Sequence, residues 1–310
     1  MSLPVTVSGF SKSYGEVQAV KELSMDVSPG ELFGLIGPDG AGKTTTMRTL
    51  VTLLRADSGK ISIGDYDAET HVREIRSIVG YMPQRFSLYP DLSIDQNLNF
   101  FADLFNVPKD EIPKRKERLY RFSRLEEFAD RLAGRLSGGM KQKLALSCTL
   151  IHDPSVLVLD EPTTGVDPVS RNEFWNILAE LKQQGVTIIV STPYMDEALK
   201  CDRVSIMHNG AVLAAGKPDE LTDLHEPQLF ELITGDIVST THILSAEPDV
   251  ISVQGFGDSV HIAVAPDISS DSLESTVSAS LQREVTLKQI TPTLEDVFIH
   301  LVNEGSRDDG

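Results

Sequence analysis

The sequence predicts an α/β fold built on a largely parallel sheet, and three short segments carry that prediction. Leu32 to Ile36 is an apolar run, followed by the loop Gly37-Pro-Asp-Gly-Ala-Gly42 and by helical composition from Lys43 to Leu54; it reads as strand, glycine loop, helix. Ser155 to Leu159 is a second apolar run, ending in Asp160 and Glu161. Val186 to Val190 is a third, after a helical pattern over Asn172 to Gln183. Short runs without polar alternation suit strands buried on both faces, and interleaved helices supply the crossovers that a parallel sheet needs.

Between the first two runs, from about Arg85 to Arg135, the pattern turns helical, with Leu98, Phe101, Leu104 and Phe105 spaced to share one face. This stretch reads as a helical insertion. After about Leu224 the texture changes again. The expected order is helix, strand Val250 to Phe256, a Gly257-Asp258 turn, strand Val260 to Val264, helix Ser270 to Leu281, strand Val285 to Ile290 and helix Leu294 to Leu301. A small α+β domain therefore closes the chain, and the expected division is 1–224 and 225–310. No period of 30 to 50 residues repeats, which argues against a solenoid.

Composition narrows the function classes. With 310 residues, 40% hydrophobic, 24% charged and two cysteines, the chain has the profile of a globular protein of about two domains, with Cys148 and Cys201 expected as free thiols in a reducing compartment. Its apolar runs fall far short of the roughly 20 residues that cross a bilayer. Met-Ser-Leu-Pro-Val at the start has neither a basic nor an apolar leader region, so a cytoplasmic protein is expected. The formal charge of −18 is uneven: from Pro218 onward 18 acidic residues face three basic ones, a balance of −15. Lys109 to Lys143 carries 11 basic residues against six acidic, a mixture too even in sign for a nucleic-acid surface and better suited to solvated helix faces. No nucleic-acid partner is expected.

The chemistry sits at the ends of the apolar runs. Gly37, Pro38, Asp39, Gly40, Ala41, Gly42, Lys43 and Thr44 fit the phosphate-loop pattern in its proper context, between a strand and a helix. Successive backbone N–H groups of such a loop point at phosphate oxygens at the positive end of a helix dipole. Lys43 is expected to neutralise the β and γ phosphates, while the Thr44 hydroxyl is a ligand for Mg²⁺, with Thr45 next to it. Asp160 and Glu161 leave the carboxyl end of a buried strand, where parallel sheets place their ligands. Asp160 suits the magnesium, held through water. Glu161 suits the attacking water, as base or as orienter.

Leu136-Ser-Gly-Gly-Met140, about 95 residues after the phosphate loop and about 20 before the Asp-Glu pair, resembles the signature of ATP-binding-cassette (ABC) ATPases. The resemblance spans roughly residues 3 to 220. It implies a P-loop NTPase core with a mostly parallel sheet, an antiparallel N-terminal β part and an inserted helical subdomain. By the same resemblance Tyr14 stacks on adenine, and Gln84, in Tyr81-Met-Pro-Gln84, touches Mg²⁺ and the attacking water and links the site to the helical insertion. Ser137 and Gly139 face the γ-phosphate held by a second chain, and Gly165-Val-Asp167 crosses to that chain. Two chains thus sandwich two ATP molecules, as a homodimer or a heterodimer. Read locally, Ser137 is also a helix N-cap.

Two positions depart from the family pattern. Met140 replaces a glutamine at the end of the signature. In Ser191-Thr-Pro-Tyr-Met-Asp-Glu197, Pro193 stands where the family has a histidine that contacts the γ-phosphate. Proline has neither an N–H nor a side-chain donor. A slow site is the expectation, unless Thr192 or Tyr194 substitutes.

The closing Thr291-Pro-Thr-Leu-Glu-Asp-Val-Phe-Ile-His300 resembles the end of the accessory domain on cassettes of bacterial drug and polysaccharide exporters. It implies separate integral membrane permease subunits, whose cytoplasmic helices enter a groove beside Gln84 lined by Phe86, Leu88 and Tyr89, and a location on the inner face of the cell membrane. Two other readings stay open: a regulatory ATP-binding subunit whose site scarcely turns over, and a cytosolic cassette ATPase without a transport role.

Overall fold

The computed structural model describes residues 2–85 and 88–308. In chain order the elements are β1 (Val5–Tyr14), β2 (Val17–Val27), β3 (Leu32–Ile36), α1 (Lys43–Leu50), β4 (Ser58–Ile63), β5 (Tyr66–Asp67), α2 (Val72–Ile78), β6 (Val79–Met82), α3 (Ile94–Leu104), α4 (Ile112–Ser123), α5 (Gly138–Leu150), β7 (Val156–Asp160), α6 (Pro168–Gln183), β8 (Thr187–Thr192), α7 (Met195–Ala198), β9 (Arg203–His208), β10 (Ala211–Gly216), α8 (Pro218–Thr222), β11 (Gln228–Ile233), α9 (Ile237–Leu244), β12 (Val250–Phe256), β13 (Ser259–Val264), α10 (Ser270–Leu281), β14 (Lys288–Ile290) and α11 (Leu294–Asp308). The chain forms two compact units, Met1–Pro218 and Asp219–Gly310.

In the first unit two sheets share one core. A six-stranded sheet runs in the order β10-β9-β3-β8-β7-β6, parallel from β9 to β6, with β10 antiparallel at one edge. An antiparallel sheet in the order β2-β1-β4-β5 accompanies it. Every residue of β3 and β7 is buried, which explains their unbroken apolar runs. Val7, Phe10 and Leu23 of the antiparallel sheet pack with Met47 and Leu50 of α1 and with Phe33, Val158 and Ile189 of the large sheet. This core holds α1, and the loop that precedes it, fixed against both sheets.

Strand order decides where the functional segments go. β3, β8, β7 and β6 are consecutive parallel neighbours, so their carboxyl ends lie side by side. Those ends release Gly37, Pro193, Glu161 and Pro83-Gln84 respectively. Segments up to 156 residues apart in sequence converge at one edge, as open α/β sheets do at their ligand sites.

The helical insertion holds α3 and α4 with two short 3₁₀ turns. Ser93 and Gln96 close a capping box at the start of α3, the Ser93 hydroxyl accepting from Gln96 N at 3.2 Å and Gln96 Oε1 from Ser93 N at 2.9 Å. The buried face of α3 is not the one that spacing suggested. Ile94, Asn97, Leu98 and Ala102 are buried, whereas Leu104 and Phe105 are exposed at the helix end. Asn97 explains the shift: its amide donates to the carbonyls of Tyr89, Leu92 and Ser93 and its oxygen accepts from Tyr89 N, so a polar side chain occupies the inner face. Part of the basic charge of 109–143 is paired, as Arg115 with Glu111 and Asp153, Lys116 with Asp95 at 2.5 Å and Arg121 with Glu117 at 2.8 Å.

In the second unit an antiparallel sheet runs in the order β12-β13-β11-β14. Phe230, Val253, Ile262, Leu273, Val277 and Leu287 form its core with α9 and α10. The sequence reading had a helix after Leu224 and no strand at β11. Leu229, Phe230 and Leu232 bury side chains on both faces of this central strand, so the period-two signal is lost. Helix boundaries also moved. α1 stops at Leu50, Thr52 turning into the left-handed region (φ 61°); α6 begins at Pro168, N-capped by Asp167; and α11 runs on to Asp308. Among the described residues no helix is long and apolar enough to cross a membrane, and both cysteines are free and buried.

Candidate functional site

An open cleft of about 490 Å³ lies over the carboxyl edge of the large sheet, lined by Tyr14, Ala19, Asp39 to Thr45, Gln84 and Glu161. Its floor is the loop before α1. Gly42 takes φ 103°, and a Cβ there would collide with the Ala19 carbonyl oxygen, so only glycine lets the loop wind into α1 this close to β2. No side chain caps α1, which leaves its amino end open to an anion.

Lys43 is the first residue of α1 and only 3% exposed. Its ammonium donates to the carbonyls of Gly37 (2.7 Å) and Pro38 (2.9 Å) and pairs with Glu161 Oε1 at 3.1 Å. Three protons thus meet three oxygens. Glu161 accepts from Gln84 Nε2 on its other oxygen at 2.8 Å, so the glutamine after β6 reaches the carboxylate after β7. Glu161 has φ 48°, a strained region for a side-chain-bearing residue. Its N–H donates to Ser191 O (3.1 Å) and Ser191 Oγ (3.0 Å), which hold the strain in place.

Ser191 does double duty, because its hydroxyl also donates to Asp160 Oδ1 at 2.8 Å. Thr44 donates to the same oxygen at 3.1 Å. Asp160 Oδ2 is buried with no hydrogen-bond partner, and burial raises the Asp160 pKa against the lowering pull of Ser191 and Thr44. An orphaned carboxylate oxygen beside a threonine hydroxyl is a costly arrangement without a cation and a natural one with it. The donor set of Asp160, Thr44 and the Gln84 amide is hard oxygen throughout, and it fits Mg²⁺.

Tyr14 closes the cleft at the β1–β2 turn, 49% exposed, with the Lys12 ammonium 6.0 Å from its ring centroid. Ser137 and Gly139 do not line the cleft. Ser137 caps α5 by accepting from Met140 N at 3.3 Å. Gly139 is buried against α6, where an added Cβ would overlap Ser170. Gly139→Ala is therefore expected to force α5 and α6 apart at a cost of about 1–3 kcal/mol, read as a lower urea midpoint; an unchanged midpoint would show that the contact yields freely.

The Pro193 segment follows β8 directly, and Gly37 N donates to Thr192 O at 3.3 Å, so residue 193 begins beside the phosphate loop. Both neighbouring side chains have partners of their own. Thr192 is fully buried and its hydroxyl donates to Glu197 at 2.5 Å, while the Tyr194 ring lies 4.3 Å under the Arg171 guanidinium. Leu88 lines a second hollow with Gln84, Pro90, Gly134 and Gln142, whereas Tyr89 packs on Phe100 at 4.5 Å and Phe86 lies outside the described residues. The roles of Ser191, Thr163 and Glu197 escaped the sequence reading. A hydroxyl closing an apolar strand was the one signal for Ser191.

A family model described as "ABC transporter" matches residues 20–164. Among curated proteins, the chain is 37% identical over 312 residues to a Nod factor export ATP-binding protein I of Ralstonia nicotianae, covering 99% of this chain and 96% of that one. The chain belongs to the ABC transporter ATP-binding family. Members of this family are ATPases, and the α/β core described above is theirs. The chain is also 39% identical over 303 residues to a probable multidrug ABC transporter ATP-binding protein, YbhF, of Escherichia coli K12, and there it spans 96% of its own length but about half, 52%, of the relative's. Among solved structures, the cassette cbiO1 of Clostridium perfringens, part of the ABC transporter complex cbiONQ, matches at TM-score 0.65 and 29% identity over 72% of this chain and 92% of that one. A dimeric post-hydrolysis cassette bound to ADP and Pi matches at TM-score 0.63 and 25% identity over 69% and 98%.

Proposed function

We propose that this ABC ATPase chain powers an export transporter by binding and hydrolysing ATP between two cassettes, coupled to separate integral membrane permeases at the inner face of the membrane. One observation carries the reading: Lys43, Glu161, Gln84, Asp160 and Thr44 meet within hydrogen-bond reach at the edge of a parallel sheet. Lys43 leaves its loop carbonyls and Glu161 to neutralise the β and γ phosphates, and the amides from Asp39 to Thr45 surround them. Released from Lys43, the Glu161 carboxylate polarises the attacking water, with Gln84 orienting both. Thr44, Asp160 and Gln84 hold Mg²⁺, which supplies charge stabilisation at the phosphate oxygens when bound. Tyr14 stacks on adenine.

Ser137 and Gly139 stand apart from the chain's own cleft and serve the nucleotide of a second chain, identical or different. Residues 1–224 form the nucleotide-binding domain under this reading, and 225–310 an accessory domain whose 15 acidic residues against three basic ones, a balance of −12, keep it away from anionic headgroups. Export as the direction follows the relatives' names. Purification of the full chain from detergent-solubilised membranes tests the proposal. A polytopic membrane protein is expected to copurify, with MgATP turnover in the complex; recovery with nucleic acid instead would favour a cassette ATPase without a transport role.

A further inference from the structure

A buried carboxylate ties the loop after β7 to the end of β8. Glu197, on the short helix α7, is fully buried. Its Oε1 accepts from Thr163 Oγ1 at 2.8 Å and its Oε2 from Thr192 Oγ1 at 2.5 Å. Thr163 lies two residues after Glu161 on the β7 side, and Thr192 immediately before Pro193 on the β8 side. Thr192 Oγ1 in turn accepts from Tyr194 N at 3.1 Å, fixing the turn around Pro193. Arg171, near the start of α6, places its Nε 3.6 Å from Glu197 Oε1 and stacks its guanidinium on Tyr194.

As a source of stability this arrangement is poor. A carboxylate withdrawn from water is costly, and one cation at 3.6 Å recovers only part of that cost, so an apolar side chain would serve a purely structural role as well. What the carboxylate provides is geometry: two charge-assisted bonds in fixed directions, one to each loop. Glu161 is held in a strained backbone conformation between Ser191 and the Thr163 anchor, and small displacements of a reacting group are expensive in rate.

We propose that Glu197 is a positioning residue for hydrolysis, setting the Glu161 loop against the Pro193 loop through Thr163 and Thr192. This rests on the catalytic reading of Glu161 given above. Glu197 does not line the cleft. It acts on kcat through the placement of Glu161 and leaves MgATP affinity to the phosphate loop.

The test uses the full chain and its steady-state MgATP turnover, with MgATP affinity by calorimetry and folding by urea denaturation. Glu197→Gln keeps the shape but removes one acceptor, and is expected to lower kcat about tenfold or more with KM and affinity held within about twofold. Thr163→Val and Thr192→Val are near-isosteric and keep the inference testable if Glu197→Gln fails to fold. Each is expected to lower kcat several-fold, while Thr163→Ser and Thr192→Ser, which keep the hydroxyl, retain it. Adding either valine to Glu197→Gln should cost little more, since both act through one group. Folded valine variants with wild-type kcat, or a raised KM with kcat intact, would overturn the inference. Lys43→Ala is the control for the site itself: a wild type with no turnover beyond this variant would overturn the catalytic reading and this inference with it.

Discussion

Replacing Lys43 by alanine is expected to weaken MgATP binding at least 100-fold, about 2.7 kcal/mol, and to destabilise the nucleotide-free protein as well. The first effect follows from charge: among the described residues that line the cleft the ammonium is the one cation, and without it the phosphates would be left to uncharged donors. The second follows from burial. Glu161 is 5% exposed in the intact chain, and with Lys43 gone it keeps only Gln84 and a long 3.4 Å contact from Thr164 as donors. Breaking one side of a buried ion pair commonly costs about 3–5 kcal/mol, and the remaining Gln84 bond places this case near 3. The double variant Lys43→Ala/Glu161→Gln separates the two effects. It should recover most of the lost stability, because a neutral amide needs no counter-charge, and none of the lost binding. Calorimetry and urea denaturation on the wild type and the two variants read both quantities. Undiminished MgATP binding in Lys43→Ala would remove the phosphate loop from the function; an unchanged urea midpoint would mean that the 3.1 Å pair contributes nothing to the resting state.

How legible this was depends on whether a feature is local. The glycine loop before α1, the all-buried β7 with Asp160 at its end and the N-cap Ser137 are dictated within about ten residues, and the sequence carries each as a pattern. β11 failed for the opposite reason. Bonded on both edges, it buries Leu229 on one face and Phe230 and Leu232 on the other, so its pattern imitates a helix turn. The buried face of α3 was misread because Asn97 is polar, and only its four backbone bonds make it an interior residue. In the site, Lys43, Asp160 and Glu161 announce themselves by type and spacing. Ser191 and Glu197 do not, since a serine at a strand end and a glutamate in Met-Asp-Glu-Ala are ordinary until the β7–β8 pairing brings them beside Asp160 and Thr163 respectively. Thr192, one candidate to replace the absent histidine donor, gives its hydroxyl instead to Glu197, five residues on.

Pro193→His is expected to raise turnover of the assembled protein about 100- to 1000-fold, with MgATP affinity little changed. The expected size comes from the cost of lacking one donor to charge that develops only in the transition state. The direction comes from position: β8 is the parallel neighbour of β3, Gly37 N donates to Thr192 O, and a side chain at 193 therefore starts next to the loop that holds the phosphates. Proline offers nothing there, and the structure leaves little slack for a substitute, with Thr192 bonded to Glu197 and the Tyr194 ring stacked on Arg171. Binding should move little because the ground-state triphosphate already has Lys43 and the α1 amino end. A rise in kcat at constant KM is thus the signature of a donor restored to the transition state, and a fall in KM at constant kcat would be that of a mere extra contact. If turnover does not rise at all, the γ-phosphate charge is met by a group outside residues 191–194. Ser137 of a second chain is then the first to test, since it stands apart from its own chain's cleft.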